Sequence, residues 1–136
     1  MNKVIVILEK TKNGGYSAYL PDLPGCVATS SSLEIAKERI GGAVKFHIEG
    51  MMKEGLEIPE PFRNSYDLEY TLDIITLFDW FSGILTKSGV SRITGLNQSL
   101  INQYALGIKT PSEKQAKKIE KALHNLGHEL LEIQLK

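Results

Sequence analysis

The chain has 136 residues, room for one ordinary domain or two small ones, and its 42% apolar and 24% charged content is that of a globular protein, not a disordered one. Its 16 basic residues balance 16 acidic ones, so net charge points to no partner, and the single cysteine, Cys26, excludes a disulfide framework and a cysteine-based zinc site. The charges are unevenly placed, however: residues 1–81 hold 8 Lys+Arg against 12 Asp+Glu (−4) and residues 82–136 hold 8 against 4 (+4), which suits two surfaces meeting two different partners.

The apolar run Val4-Ile5-Val6-Ile7-Leu8 has no basic flank or cleavage-like site and is too short to span a bilayer, so it reads as a buried strand of a cytoplasmic protein. Asn13-Gly14-Gly15 is a turn signal, because these residues tolerate positive φ. Tyr16 to Leu20 then alternates as a half-buried strand does, which completes a hairpin. Pro21-Asp22-Leu23-Pro24-Gly25 forces an irregular turn, and Cys26 to Thr29 is a third short strand. Ser30, Ser31 and Ser32 offer N-cap hydroxyls to a long helix, Ser31 and Glu34 having capping-box spacing. In it Leu33, Ala36, Ile40, Val44, Ile48 and Met51 form one apolar stripe, and Gly41 and Gly42 are expected to pack closely on a sheet. A strand is expected around Leu68 to Ile75. The front module is therefore β-β-β-α-β, an antiparallel sheet with one helix on its face.

Helical periodicity takes over at Phe78, where Phe78, Phe81 and Leu85 share a face. Ser88 to Thr94 is a short helix, Gly95-Leu96-Asn97 a turn, and Gln98 to Leu106 a helix closed by Gly107. Ser112 caps a further helix with Ala116, Ile119, Ala122, Leu123 and Leu126 on one side, ended by Gly127. The alternation of Glu129 to Leu135 favours a final strand. The fold class is α+β, divided into a front domain over residues 1–65, a connecting strand or linker over 66–81 that is also a candidate oligomer interface around Trp80, and a small all-α domain over 82–136.

The most constrained spacing lies between Ser88 and Gly107. A helix-turn-helix needs a small residue where its helices cross, a residue tolerant of positive φ at the turn, and apolar residues seating the second helix. Ser91, Gly95, and Leu96 with Ile101 and Tyr104 supply them. The outward positions Gln98, Ser99, Asn102 and Gln103 are polar without an acid among them. Glutamine and asparagine pair bidentately with adenine edges, and serine bonds a base or a phosphate. Asn97 opens the helix, and Lys87, Arg92, Lys109 and Lys114 flank it as candidates for phosphate contacts. A solvated helix face is the plainer reading, but it ordinarily mixes in Glu or Lys.

The stretch Gly15-Tyr-Ser-Ala-Tyr-Leu-Pro-Asp-Leu-Pro-Gly-Cys-Val-Ala-Thr29, followed by Ser32-Leu-Glu-Ile-Ala36, resembles the front domain of HicB antitoxins. The segment from about residue 82 is similar to the Cro/repressor-type helix-turn-helix carried by many HicB proteins. The resemblance implies a partial RNase H-like front domain without nuclease activity that binds HicA, a small basic mRNA-cleaving toxin, and covers its active site. It also implies a rear domain that represses its own operon at operator DNA as a homodimer or homotetramer. Toxin-facing residues are expected around Tyr16, Tyr19, Pro21, Asp22, Leu23, Pro24 and Cys26, and Arg92, Asn97, Gln98, Ser99, Asn102, Gln103 and Lys109 are the expected DNA contacts. No catalytic residue, cofactor, metal or membrane is expected.

The alternative is a stand-alone transcription regulator whose front domain senses a small molecule in a formed apolar pocket; an antitoxin should instead expose a surface rich in acids and aromatics. A nuclease would need clustered acids around metal ions. The candidates are Asp22, Glu34, Asp67, Glu69 and Asp73, of which Asp67, Glu69 and Asp73 share strand parity; a solvated face or a docking surface for a basic partner explains these more simply. His47 has no companion at ligand spacing, and His124 and His128 would need a helix continuous through Gly127. Cys26 has no base beside it and reads as packing.

Overall fold

The computed structural model describes residues 1–136, which form two compact units, Met1–Thr76 and Leu77–Lys136. In the front unit, β1 (Asn2–Lys10) and β2 (Tyr16–Tyr19) make the expected hairpin, with Leu8 opposite Ala18. Gly14 turns the chain at φ 84°. Gly15 is required for another reason: a Cβ there would stand 2.9 Å from the carbonyl oxygen of Ser30. β3 (Val27–Ser30) pairs antiparallel with β2. After α1 (Leu33–Lys53) and a 3₁₀ turn at Glu60–Phe62, the chain returns as β4 (Tyr66–Leu72), parallel to β1. The order β3-β2-β1-β4 corrects the all-antiparallel expectation. The helical crossover through α1 carries the chain to the opposite end of the sheet from the one at which β3 finishes, so the strands it joins run in the same direction.

Alternation sends Val4, Val6 and Leu8 to one face of the sheet with Ala18 and Ala28. The α1 stripe Leu33, Ala36, Ile40 and Val44 is buried in the same core. Each buried Val, Leu or Ile is worth about 1.5–3 kcal/mol. Arg39 Nη1 donates to the Thr29 carbonyl at 2.8 Å, and the Lys37 ammonium lies 4.4 Å from the centroid of the Tyr70 ring, so α1 is tied to both edge strands. Ser32 is the N-cap and makes no side-chain capping bond; the Ser31–Glu34 box does not form, and Ser30 Oγ instead accepts from the Ser32 N–H at 3.2 Å. Gly41 and Gly42 are not packed on the sheet as expected, since a Cβ at either would meet nothing within 4 Å.

β4, placed by the sequence in the connecting segment, is an edge strand of this sheet, and it ends three residues early. Asp73 accepts from the Thr76 N–H at 2.7 Å and starts α2 (Ile74–Trp80). A carboxylate satisfying a free N–H of the first helical turn favours helix over further strand. Thr76 is fully buried, and its hydroxyl accepts from the Lys10 N–H at 3.1 Å. Gly83, at φ 82°, lies beyond the end of α2, so Leu85 does not share a helix with Phe78.

In the rear unit, α3 (Lys87–Thr94) is capped by Thr86, α4 (Gln98–Ala105) by Asn97 and α5 (Glu113–Glu132) by Ser112, as each side chain accepts a hydrogen bond from a backbone N–H of the first turn. Gly95 and Gly107, both at φ 75°, follow α3 and α4. Val90, Ile101, Tyr104 and Ile119 are buried. The strand expected over Glu129 to Leu135 is absent, for α5 runs unbroken through Gly127 to Glu132. Once a helix is nucleated each residue adds a hydrogen bond, and a single glycine, weaker than alanine by about 1 kcal/mol, does not stop it. No helix is long and apolar enough to cross a membrane.

Candidate interaction surfaces

One face of the front sheet meets α1 and the other is open. The register fixes what the open face displays. One row across it reads Thr71, Ile7, Tyr19, Val27, because Ile7 pairs with both Thr71 and Tyr19, and Tyr19 pairs with Val27. The next row places Ile5 beside Glu69, and beyond it Lys3 beside Asp67; at the opposite end Glu9 stands beside Ser17, and Ser17 beside Thr29. Ile5 is 48% exposed and Val27 56%, large values for aliphatic side chains in a sheet. Tyr19 donates its hydroxyl to Glu9 Oε1 at 3.2 Å. Partial desolvation, then the Glu9 charge and this bond, hold the Tyr19 hydroxyl above the usual tyrosine range. The result is an apolar and aromatic centre with Glu9, Asp67 and Glu69 around it and one opposing charge, Lys3.

The residues expected to face a partner separate into two groups. Tyr16, Leu23 and Cys26 are buried, whereas Tyr19 is half-buried and Pro21, Asp22 and Pro24 are exposed. Two successive turns, Leu23 N–H to Leu20 and Cys26 N–H to Leu23, drive Leu23 and Cys26 inward, and Gly25 at φ 87° completes the reversal. Burial pushes the Cys26 thiol above its usual range, in keeping with a packing role. Sequence reasoning passed over Ile5, Ile7, Val27 and Glu9. The run Val4 to Leu8 is apolar at every position, so it hid which alternate residues face outward.

In the rear unit a short left-handed turn at Gly95 joins α3 to α4. Ser91 Oγ donates to the Leu96 carbonyl at 2.5 Å, and Thr94 Oγ1 donates to the Val90 carbonyl and accepts from the Leu96 N–H. Ile101 and Tyr104 turn inward and are buried. Of the residues expected to meet DNA, Arg92, Asn97, Gln98, Ser99 and Lys109 are exposed, and Asn102 and Gln103 are half-buried. Asn97 is committed to its cap, Oδ1 accepting from the Ser99 N–H at 2.7 Å. Lys87, on the first turn of α3, and Lys114, on that of α5, are exposed.

The acids do not assemble a metal centre. Asp67 and Glu69 point from the open face, Asp73 caps α2 instead of continuing their strand, and no three His, Cys, Asp or Glu side chains are grouped to hold a metal ion. His124 and His128 do lie on one continuous helix, contrary to expectation, but no third ligand joins them.

The chain thus combines a mixed α/β unit, one face of whose sheet is open and edged with acids, and a separate helical unit. Residues 4–78, more than half of the chain, match the HicB-like antitoxins of bacterial toxin–antitoxin systems, and the chain belongs to that family. Over 55 residues it is 38% identical to an uncharacterised 14.9 kDa protein of the rep–hol intergenic region of Haemophilus phage HP1, a stretch covering 40% of this chain and 41% of the phage protein. It is 36% identical over 55 residues to a UPF0150 protein of Synechocystis, covering 40% of this chain and 70% of that protein. A UPF0150 protein of Archaeoglobus fulgidus is 34% identical over 47 residues, covering 35% of this chain and 68% of its own length. The chain thus spans less than half of the phage relative.

Proposed function

We propose that the front unit is a partial RNase H-like domain that neutralises a small basic mRNA-cleaving toxin of the HicA type by covering its active site. The rear unit carries a Cro/repressor-type helix-turn-helix that binds operator DNA and represses the operon, acting as a homodimer or homotetramer. The observation that carries the first part is the open sheet face: Ile5, Ile7, Tyr19 and Val27 at its centre, Glu9, Asp67 and Glu69 around them. An apolar centre excludes water and a charged rim selects the sign of the partner, and here that sign is positive. Pro21, Asp22 and Pro24 are exposed at the turn between β2 and β3. The second part is supported by the bonded turn between α3 and α4, with Gln98 and Ser99 exposed at the start of α4. A helix entering the major groove reads bases with its N-terminal residues.

Gentle affinity purification of the tagged chain from its host tests the toxin reading. A stoichiometric small basic protein, toxic when expressed alone, is expected. The double variant Glu9→Lys/Glu69→Lys should fold normally, lose that protein and fail to suppress its toxicity. Absence of such a partner, or capture unaffected by charge reversal, overturns the assignment. For DNA, Gln98→Ala/Asn102→Ala should erode discrimination between operator and random sequence, while Lys109→Ala should weaken both equally and flatten the salt dependence.

A further inference from the structure

The two edges of the front sheet are differently protected. β3 is four residues long, and Arg39 already donates to its Thr29 carbonyl. β4 is seven residues long and pairs with β1 in one unbroken register, without the proline, lysine or bulge that usually blunts an edge strand. The ladder shows which backbone groups are left over. The Asn2 N–H donates to the Ser65 carbonyl at 3.2 Å, so in the parallel register Asp67, Glu69 and Thr71 turn their N–H and C=O groups to β1. Tyr66, Leu68 and Tyr70 turn theirs outward, and no hydrogen bond within the chain takes them up. Side chains along this edge are also short of cover. Leu68 and Tyr70 lie on the face that carries α1, but α1 packs against β2 and β3, and both residues stay half-buried. On the open face Asp67 and Glu69 are exposed.

We infer that the free edge of β4 takes an additional strand from a basic partner, a segment with Lys or Arg at two alternate positions and apolar residues between them. The outward N–H and C=O groups of Leu68 and Tyr70 hold its backbone. Charge sets its side chains. Residues directly opposite Asp67 and Glu69 stand about 5 Å away on the same face, where a base is favoured and an acid repelled. The alternate residues face Leu68 and Tyr70, where the Lys37 ammonium, 4.4 Å from the Tyr70 ring centroid, disfavours a further base. A second copy of this chain does not fit. Two-fold pairing centred on Leu68 sets Asp67 opposite Glu69, and pairing centred on Glu69 sets the two Glu69 side chains together. Pairing centred on Tyr70 keeps only Leu68 to Leu72. The inference rests on the proposal that the front unit meets a basic toxin, and adds how that partner is held.

Residue-resolved amide exchange of the full chain, followed by NMR, tests it with two ligands. One is the small basic protein captured from the host, and the other is a heptapeptide of alternating valine and lysine, with a valine–glutamate heptapeptide as control. In the free chain the Leu68 and Tyr70 amides should exchange fast and the Glu69 amide slowly. The captured protein and the valine–lysine peptide should each slow Leu68 and Tyr70 by roughly tenfold or more, and the control should not. Leu68→Pro deletes an outward donor and no ladder bond, so it should leave the circular dichroism unchanged and weaken binding by roughly tenfold or more. Asp67→Lys/Glu69→Lys should reverse the preference between the two peptides, which a misfolded chain would not do. A bound toxin that leaves Leu68 and Tyr70 unprotected overturns the inference and leaves the toxin reading standing. Protection by the valine–lysine peptide in a chain that captures no toxin overturns the toxin reading and leaves the edge site standing. No protection by that peptide, or equal protection by both peptides, overturns the basic-strand inference.

Discussion

The hydroxyl of Ser91, in α3, donates across the turn to the backbone carbonyl of Leu96, five residues later, at 2.5 Å. This bond holds the first residues after Gly95 against α3 and sets the direction in which α4 leaves. Alanine at position 91 would fit the space and improve helix propensity slightly, but the partly buried Leu96 carbonyl would lose its donor. We expect Ser91→Ala to destabilise the rear unit by about 1–2 kcal/mol. The single tryptophan, Trp80, belongs to that unit, so its fluorescence during urea unfolding measures the loss.

Gly95 occupies φ 75°, and a Cβ added there meets nothing within 4 Å. The cost of Gly95→Ala is therefore purely one of backbone conformation, about 1–2 kcal/mol. Gly95→Asn should cost less, because asparagine tolerates the left-handed region. Equal losses in the two variants, read by the same fluorescence, would mean that steric contact sets the cost.

Gly14 and Gly15 should respond oppositely to what their positions in the turn suggest. Gly14 has the positive φ but faces open space, whereas Gly15 faces the Ser30 carbonyl oxygen at 2.9 Å. That oxygen belongs to the backbone of β3 and cannot move alone. Gly15→Ala should shift β3 or cost about 1–3 kcal/mol, as overpacking does, and amide exchange in β3 should accelerate. Gly14→Ala should leave β3 exchange unchanged.

Cys26 is buried and its thiol is held above the ordinary range by that burial. In the native protein it should react slowly with a thiol reagent at pH 8, and at the rate of a free cysteine once the front unit unfolds. The sign of the linkage follows: the fold favours the protonated thiol, so this contribution is complete below the unfolded pKa and is lost as pH rises through the higher folded value. Fast native-state labelling would contradict the burial.

Tyr19 should titrate above the usual tyrosine range in absorbance at alkaline pH. Glu9→Gln removes a neighbouring negative charge and should bring the Tyr19 titration down. Glu9→Gln leaving that titration in place would show that partial burial alone sustains the shift.

Local chemistry was enough to place most of the elements. Asn13-Gly14-Gly15 specified a hairpin, Ser112 a helix start, and Gly95 with Gly107 two helix ends, because each acts through its own φ or a bond to a neighbour two or three residues away. The Ser91–Gly95–Ile101 spacing likewise identified the paired helices, and the Pro-Asp-Leu-Pro-Gly-Cys turn identified the family. Tertiary structure decided the rest. Asp73 could end a strand or start a helix until Thr76 was buried and bonded to Lys10. The parallel pairing of β4 with β1 depended on where α1 returned the chain, and that pairing put Glu69 beside Ile5 on the open face. Val4 to Leu8 is uniformly apolar, so only the position of α1 determined that Val4, Val6 and Leu8 form the core while Ile5 and Ile7 face outward. Gly127 looked like a helix end because its intrinsic cost is local, whereas the bonds that carry α5 past it come from residues on either side. Residue type sets what each position can do nearby; which face it serves is fixed only when distant segments compete for the same side of the sheet.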